Sequence, residues 1–154
     1  MISKEEILEF VEAKIEKTDV YIVEVNILLN NKIEVVVDSF DGISIDYCVQ
    51  LSRDISTAFE DRIGEYELEV SSASMSQAFK VIQQYKKYQG KEVEVLSKQG
   101  VKIKGILTKV NPDSFTLTFT KKEKNPHGKK PLMVEKEVEF TYDEIKYTKY
   151  IIRF

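Results

Sequence analysis

The hydrophobic pattern of this chain changes once, close to a serine-rich segment at residues 71–76. Before that segment, helical and strand periodicities alternate, whereas after residue 91 the apolar residues mark short strands alone. The net charge changes at the same place, from −11 over residues 1–72 (6 Lys/Arg, 17 Asp/Glu) to +8 over residues 73–154 (17 Lys/Arg, 9 Asp/Glu). This joint change predicts two domains, which we place at residues 1–76 and 77–154.

The first domain has the element order α-β-β-α-β. Ser3 and Glu6 have the spacing of a capping box and begin the first helix. Alternating apolar residues on both sides of Asn30-Asn31 predict a β-hairpin. Ser44 is the expected cap of the second helix. The apolar face of that helix is assigned to Ile45, Cys48, Ser52, Ile55 and Phe59. A third strand follows, and we expect the two helices to cover one face of a three-stranded sheet.

The second domain begins with a short helix at residues 82–88 and continues as five short strands. Gly105 stands inside one of these strands, where a glycine indicates a sharp bend. Residues 121–131 are assigned to a long polar loop. The pattern predicts a small all-β barrel of the Sm-like or SH3-like kind. The whole chain is therefore expected to be an α+β protein, in which a two-layer α-β-β-α-β domain precedes this barrel.

Motifs for catalysis and cofactor binding are missing from the sequence. Gly100 and Gly105 have the glycine spacing of a phosphate-binding loop, but Ile106 stands where the lysine is required. Cys48 lies on an apolar helix face and His127 in a lysine-rich loop, so neither has an evident catalytic partner. We therefore predict no enzyme activity, cofactor or metal. The single cysteine and the lack of a long apolar run fit a cytoplasmic protein without a membrane segment.

Lysines of the second domain are the candidate contact to RNA, because they can replace the counterions around phosphate. The set is Lys98, Lys102, Lys104, Lys109, Lys121, Lys122, Lys124, Lys129 and Lys130. A solubilising loop is the simpler interpretation of the lysines at 121–130. Tyrosines of this domain could stack on bases or could fill the barrel core. The acidic first domain would attract a basic protein, and ribosomal proteins are the most abundant basic proteins of a cytoplasm.

Several strings of this sequence resemble the bacterial ribosome maturation factor RimP family over essentially the full length. The strings are 42–48, YELEVSS at 66–72, YKKYQGKEVEV at 85–95, KGILTKV at 104–110 and FTYDEIK at 140–146. The family's connecting segment reads Ser-Ser-Pro-Gly-Leu and then Arg-Pro-Leu. This chain keeps the two serines as Ser71 and Ser72, but has Ala73-Ser74-Met75 after them and Gln77 at the arginine position. Loss of Pro and Gly removes a rigid kink and a permissive hinge.

The resemblance implies an α/β domain and an Sm-like barrel that together act, without catalysis, in late assembly of the 30S subunit. It also implies two partners on the immature small subunit, namely 16S rRNA and small-subunit ribosomal protein twelve. The expected form is a monomer, with Ser71, Ser72 and Gln77 as the interdomain segment. The alternative function is a general single-stranded RNA chaperone that acts through the basic barrel. The sequence does not assign either partner to either domain.

Overall fold

The computed structural model describes residues 1–152. Its contacts divide the chain into a first unit, Met1–Ser74, and a second unit that begins at Met75. The first unit has two helices, α1 (Lys4–Ile15) and α2 (Ile45–Ala58). Its three strands are β1 (Val20–Ile27), β2 (Lys32–Ser39) and β3 (Glu67–Ser72). The sheet order is β1-β2-β3, in which β1 and β2 are antiparallel and β2 and β3 are parallel.

Local signals position these elements as the sequence predicts. The Ser3 hydroxyl accepts a hydrogen bond from the Glu6 N–H at 3.2 Å, and the Glu6 carboxylate accepts one from the Ser3 N–H, which completes the capping box. Asn31 has a φ of +60° in the turn between β1 and β2. The Ser44 hydroxyl caps α2 by accepting from the Tyr47 N–H at 3.1 Å. The order α-β-β-α-β is confirmed.

The core of the first unit lies between the two helices and the sheet. Ile7 and Val11 of α1 and Ile55 of α2 are fully buried there, together with the apolar side chains of β2. The assignment of Ile45 to the buried face is wrong, because its side chain is 83% exposed, and Leu51, which is 3% exposed, packs into the core. Ile45 is the first residue of α2 and lies at the open margin of the layer, beside β3.

The second unit has a short helix, α3 (Ile82–Lys87), and five strands. The strands are β4 (Glu92–Ser97), β5 (Lys102–Val110), β6 (Ser114–Glu123), β7 (Leu132–Thr141) and β8 (Ile145–Tyr150). They form one antiparallel sheet with the order β7-β6-β5-β4-β8. A closed barrel is not confirmed, because within residues 1–152 the edge strands β7 and β8 do not pair with each other.

Aromatic side chains fill the core of this second unit. Phe115 is fully buried, with its ring centroid 4.9 Å from that of Tyr85 and 5.6 Å from that of Phe140. The buried Tyr85 hydroxyl bonds to the Thr148 hydroxyl at 2.9 Å. Burial raises the pKa of Tyr85 to about 12. Gly105 lies against β6, where a methyl group in place of its hydrogen would be 2.8 Å from the Thr118 carbonyl oxygen. The glycine therefore permits a close approach of β5 and β6.

The hairpin of β6 and β7 extends beyond the rest of the sheet. β5 pairs with β6 only from Val110↔Phe115 to Ile106↔Thr118, whereas β7 pairs with β6 as far as Glu123. Residues 119–136 therefore form a two-stranded ribbon with its connecting loop, which we call the arm. The assignment of Lys121 and Lys122 to a loop is wrong, because both belong to β6. Their polarity is typical of a loop, but the ladder with β7 places them in a strand.

Candidate nucleic-acid interface

The arm carries five of the nine lysines that the sequence suggests for RNA. Lys121 and Lys122 are consecutive in β6, so their side chains lie on opposite faces of the ribbon. Lys124, Lys129 and Lys130 lie in the connection between β6 and β7. All five side chains are exposed. The arm therefore presents cations on both faces and at its tip.

A shallow cavity of about 410 Å³ lies at the arm tip, lined in part by Lys122, Lys124 and Lys129. Asn125 lies in the same lining, and its side-chain oxygen accepts a hydrogen bond from the N–H of His127 at 2.9 Å. This bond shapes the turn that holds the lysines around the cavity. The concave, lysine-lined tip has the chemistry to accept an anionic group such as a phosphate.

One carboxylate of the arm is already neutralised within the arm. Glu123 and Lys136 form an ion pair with a separation of 2.8 Å. The hydrogen bond from Lys136 lowers the pKa of Glu123. Lys136 was missing from the predicted set because its place on the arm depends on the β6–β7 register, which sequence periodicity does not specify. With this acid neutralised, the remaining charges of the arm are the five lysines and Glu135, which sum to +4.

Lys98, Lys102 and Lys104 lie at the same end of the sheet as the arm. This follows from the antiparallel pairing, because the start of β5 is adjacent to the part of β6 that leads into the arm. Lys104 is 4.0 Å from Glu94, and the Glu94 carboxylate also accepts a hydrogen bond from Tyr147 at 2.8 Å. That bond raises the pKa of the Tyr147 hydroxyl. Lys104 is thus partly neutralised by its neighbour.

The nine lysines do not form one continuous patch. Lys109 lies at the opposite end of β5, next to the turn into β6. The strand β7 adds an acidic row to the sheet face that also carries Lys102 and Lys104. This row consists of Glu135, Glu137 and Glu139, which pair with Thr120, Thr118 and Thr116. The structure therefore separates an arm cluster, a β4–β5 cluster and the isolated Lys109.

The tyrosines of this unit divide between core and surface roles. Tyr85 is 5% exposed and fills the core, which confirms that interpretation for this residue. Tyr88 is half-buried and stacks on Phe79 and on Tyr150, with centroid separations of 5.2 and 4.7 Å. The Lys149 ammonium lies 4.5 Å from the ring centroid of Tyr147. The rings already contact other side chains, so the lysines carry the stronger case for RNA contact.

Cys48 and the serine-rich segment at residues 71–76 lie outside the lysine clusters. Cys48 is buried, and burial raises the pKa of its thiol. Over residues 1–152, no group of three or more His, Cys, Asp or Glu side chains is arranged to hold a metal ion. The same part of the chain has no helix with the length and apolar character needed to cross a membrane. Ser71 and Ser72 belong to β3, whereas Gln77 is exposed and outside any helix or strand.

The fold and the charges define a two-unit α+β protein with an acidic α/β unit and a lysine-bearing antiparallel sheet. Residues 10–75 match the family model of the RimP N-terminal domain. The chain is 33% identical to the ribosome maturation factor RimP of Porphyromonas gingivalis, over 95% of this chain and 96% of that protein. It is 29% identical to that of Christiangramia forsetii over 90% of both chains, and 27% identical to that of Flavobacterium psychrophilum over the full length of both. The chain belongs to the ribosome maturation factor RimP family.

Proposed function

We propose that this ribosome maturation factor acts on the small ribosomal subunit, in the cytoplasm and as a monomer. The second unit binds 16S rRNA through the arm, and the acidic first unit binds a basic ribosomal protein. The observation that carries this proposal is the arm, since it extends five exposed lysines beyond the sheet. Small-subunit ribosomal protein twelve is the proposed protein partner, which the family resemblance suggests. Binding alone would stabilise an assembly-competent state, and no covalent step is required.

The architecture of the second unit supports this division of roles. We propose that its open sheet curves as an Sm-like barrel, with the residues at 77–154 acting as one module. A curved antiparallel sheet is supported by the irregular register in β5 and at the β4–β8 pair and by the glycine at 105. The Lys98, Lys102 and Lys104 cluster is a second proposed rRNA contact, at the same end of the sheet. Ser71, Ser72 and Gln77 are proposed to connect the modules.

Ribosome profiles of a depletion strain test the biological role. Loss of the protein should reduce 70S ribosomes, raise free subunits and leave immature 16S rRNA in the 30S fraction. Re-expression of the intact chain should restore the profile. Normal profiles with fully processed 16S rRNA in the depleted strain would contradict the proposal.

Salt dependence of RNA binding tests the arm. Replacing Lys121, Lys122, Lys124, Lys129 and Lys130 by Ala should reduce the slope of log K against log salt by about 3.5 if all five contact single-stranded RNA. The matched control removes the same charge elsewhere in the unit, by changing Lys80, Lys86, Lys87, Lys91 and Lys146 to Ala. Equal losses in the two variants would show that total charge, not the arm, determines binding.

A general single-stranded RNA chaperone is the second candidate, favoured by the exposure of the arm lysines, which can contact the phosphates of any RNA sequence. It predicts equal affinity for a 16S fragment and for polyuridylate at the same salt concentration. Our leading proposal predicts a preference for the 16S fragment. Equal affinities together with a normal ribosome profile would favour the chaperone.

A further inference from the structure

Strand β3 is an open edge of the first unit's sheet. In the part of the chain that the structure describes, β3 pairs with β2 alone. The N–H groups of Glu67 and of residue 73, which follows β3, donate to the carbonyls of residue 31, just before β2, and of residue 37 within β2. Because strand residues alternate in direction, the N–H and C=O groups of Leu68 and Val70 point away from β2. They form a row of main-chain donors and acceptors of the kind that accepts a further strand.

An apolar groove runs beside this edge, between β3 and α2. It has a volume of about 460 Å³. Leu68 and Val70 line one side, and Ile45 and Val49 of α2, which are 83% and 43% exposed, line the other. Two exposed aliphatic side chains on one helix face next to an open strand make a continuous apolar surface. Such a surface is typical of sites where apolar side chains of a partner dock.

The opposite face of β3 is acidic. Glu67 and Glu69 alternate with Leu68 and Val70, so their exposed carboxylates lie on the face away from α2. Lys32 of β2 is ion-paired with Glu69 at 2.8 Å, and its pKa is raised by Glu69 and by the nearby Glu67 and Glu34. Three carboxylates thus surround one ammonium group, which leaves this face with an excess of negative charge. The unit around them carries 17 acidic against 6 basic residues over positions 1–72. A strand added here would have one row of side chains against α2 and the other row beside the glutamates. Opposite charges directly across a strand pair are stabilising, and like charges are destabilising.

We propose that β3 and α2 bind an extended peptide segment in which apolar residues alternate with Lys or Arg, by adding it as a fourth strand. The apolar residues enter the groove between α2 and β3, and the basic residues face Glu67 and Glu69. The inference rests on the proposed function, in which the acidic unit receives a basic protein, and it specifies the binding surface and the form of the ligand. A second copy of the chain fits poorly, because pairing β3 with β3 would bring glutamates together. The mode is strand addition, in which main-chain bonds give affinity and the groove gives specificity.

The test uses the full chain and a blocked nine-residue peptide of alternating valine and lysine, followed by amide resonances in a titration. We expect shifts concentrated in β3 and α2. Ile45→Lys should weaken binding about tenfold or more, because it fills the groove with a like charge. Leu29→Lys is the matched control, since Leu29 is fully exposed in the β1–β2 turn and the charge change is identical. Equal effects of the two variants would overturn the proposal.

Arg53, the cation in the groove lining, tests the charge of the ligand. Arg53→Glu should tighten binding of the valine–lysine peptide and should not create binding of a valine–glutamate peptide. Tighter binding of the acidic peptide by the unaltered chain would refute a basic ligand.

Two N-methylated versions of the peptide test strand addition without altering the protein. One carries methyl groups on the valine nitrogens and the other on the lysine nitrogens. Only one set faces β3 in a bound strand, so one version should lose binding and the other should keep it. Loss of binding by both versions, or by neither, contradicts strand addition. These measurements use purified protein, so failure of strand addition and failure of the proposed function can be told apart. A maturation defect in the depletion strain without peptide binding would contradict only strand addition. Peptide binding with a normal ribosome profile would contradict only the proposed function.

Discussion

Gly105 lies at the base of the arm, and Gly105→Ala should destabilise the second unit. An alanine Cβ at this position would lie 2.8 Å from the Thr118 carbonyl oxygen and 3.3 Å from the Phe119 Cβ. The first contact is with main chain, which cannot rotate away as a side chain would. Thr118 is also the last residue of β6 that pairs with β5, so the strain falls at the base of the arm. Strands β5 and β6 must separate there to accept the methyl group.

The free energy of unfolding of the second unit should fall by about 1–3 kcal/mol, the usual range for inserting a methyl group into a tightly packed site. For a unit of this size, each 1 kcal/mol lowers the midpoint of thermal unfolding by about 4–8 °C. We therefore expect a decrease on the order of 10 °C. The φ angle of Gly105 is not in the left-handed region, so the cost is steric.

Thermal unfolding followed through amide resonances of Val93 and Leu107 would report on the second unit itself. Gly64→Ala, in the first unit and followed through amide resonances of that unit, is the control for a glycine-to-alanine change without a clash, because a Cβ there would meet nothing within 4 Å and the backbone is not left-handed. That variant should retain the stability of the unaltered protein or gain slightly, since alanine restricts the unfolded chain. A Gly105→Ala midpoint within about 2 °C of that of the unaltered protein would refute the reasoning, because a main-chain clash should lower the free energy of unfolding by more than so small a shift implies.

Further predictions concern buried hydroxyls and a helix cap. Tyr85→Phe should lower the free energy of unfolding by about 1–3 kcal/mol, because it leaves the buried Thr148 hydroxyl without its partner. Adding Thr148→Val should recover part of this loss, as a double-mutant cycle measured by urea unfolding would show. Since the pKa of Tyr85 is raised to about 12 in the folded state, the unfolded chain loses this proton first. Stability should therefore fall as the pH rises through about 10 to 12, and less so in Tyr85→Phe. Ser3→Ala should reduce stability by about 1 kcal/mol through loss of the α1 cap, whereas Ser3→Asp should retain it; equal unfolding midpoints for both variants would contradict a capping role.

Local signals account for what the sequence predicts well. The caps at Ser3 and Ser44 and the turn at Asn31 each depend on neighbouring residues, so the helices and the hairpin could be assigned before the structure was known. The exposure of Ile45 could not be predicted from the sequence, because its position at the margin of the helical layer depends on where α2 lies over the sheet.

The lysine set shows the same limit on a larger scale. The polar sequence around Lys121 predicts a loop, but the pairing of β6 with β7 places Lys121 in a strand opposite Val134. The separation of Lys109 from the other lysines also follows from strand pairing, since β5 spans the sheet from one end to the other. Sequence charge thus identified the basic unit, and strand register decided which of its charges lie together.

The parallel pairing of β2 with β3 has a consequence for how the first unit folds. Ile33 and Leu68 are register partners, yet the whole of α2 lies between them in the chain, whereas β1 and β2 are joined by a tight turn. Distant pairings form slowly because a long loop must close first. During synthesis, β3 would therefore be the last strand to join, and until then its apolar residues could associate with other chains. Before β3 pairs with β2, the negative charges at 67 and 69 should oppose its aggregation, since they repel the same glutamates of an identical strand.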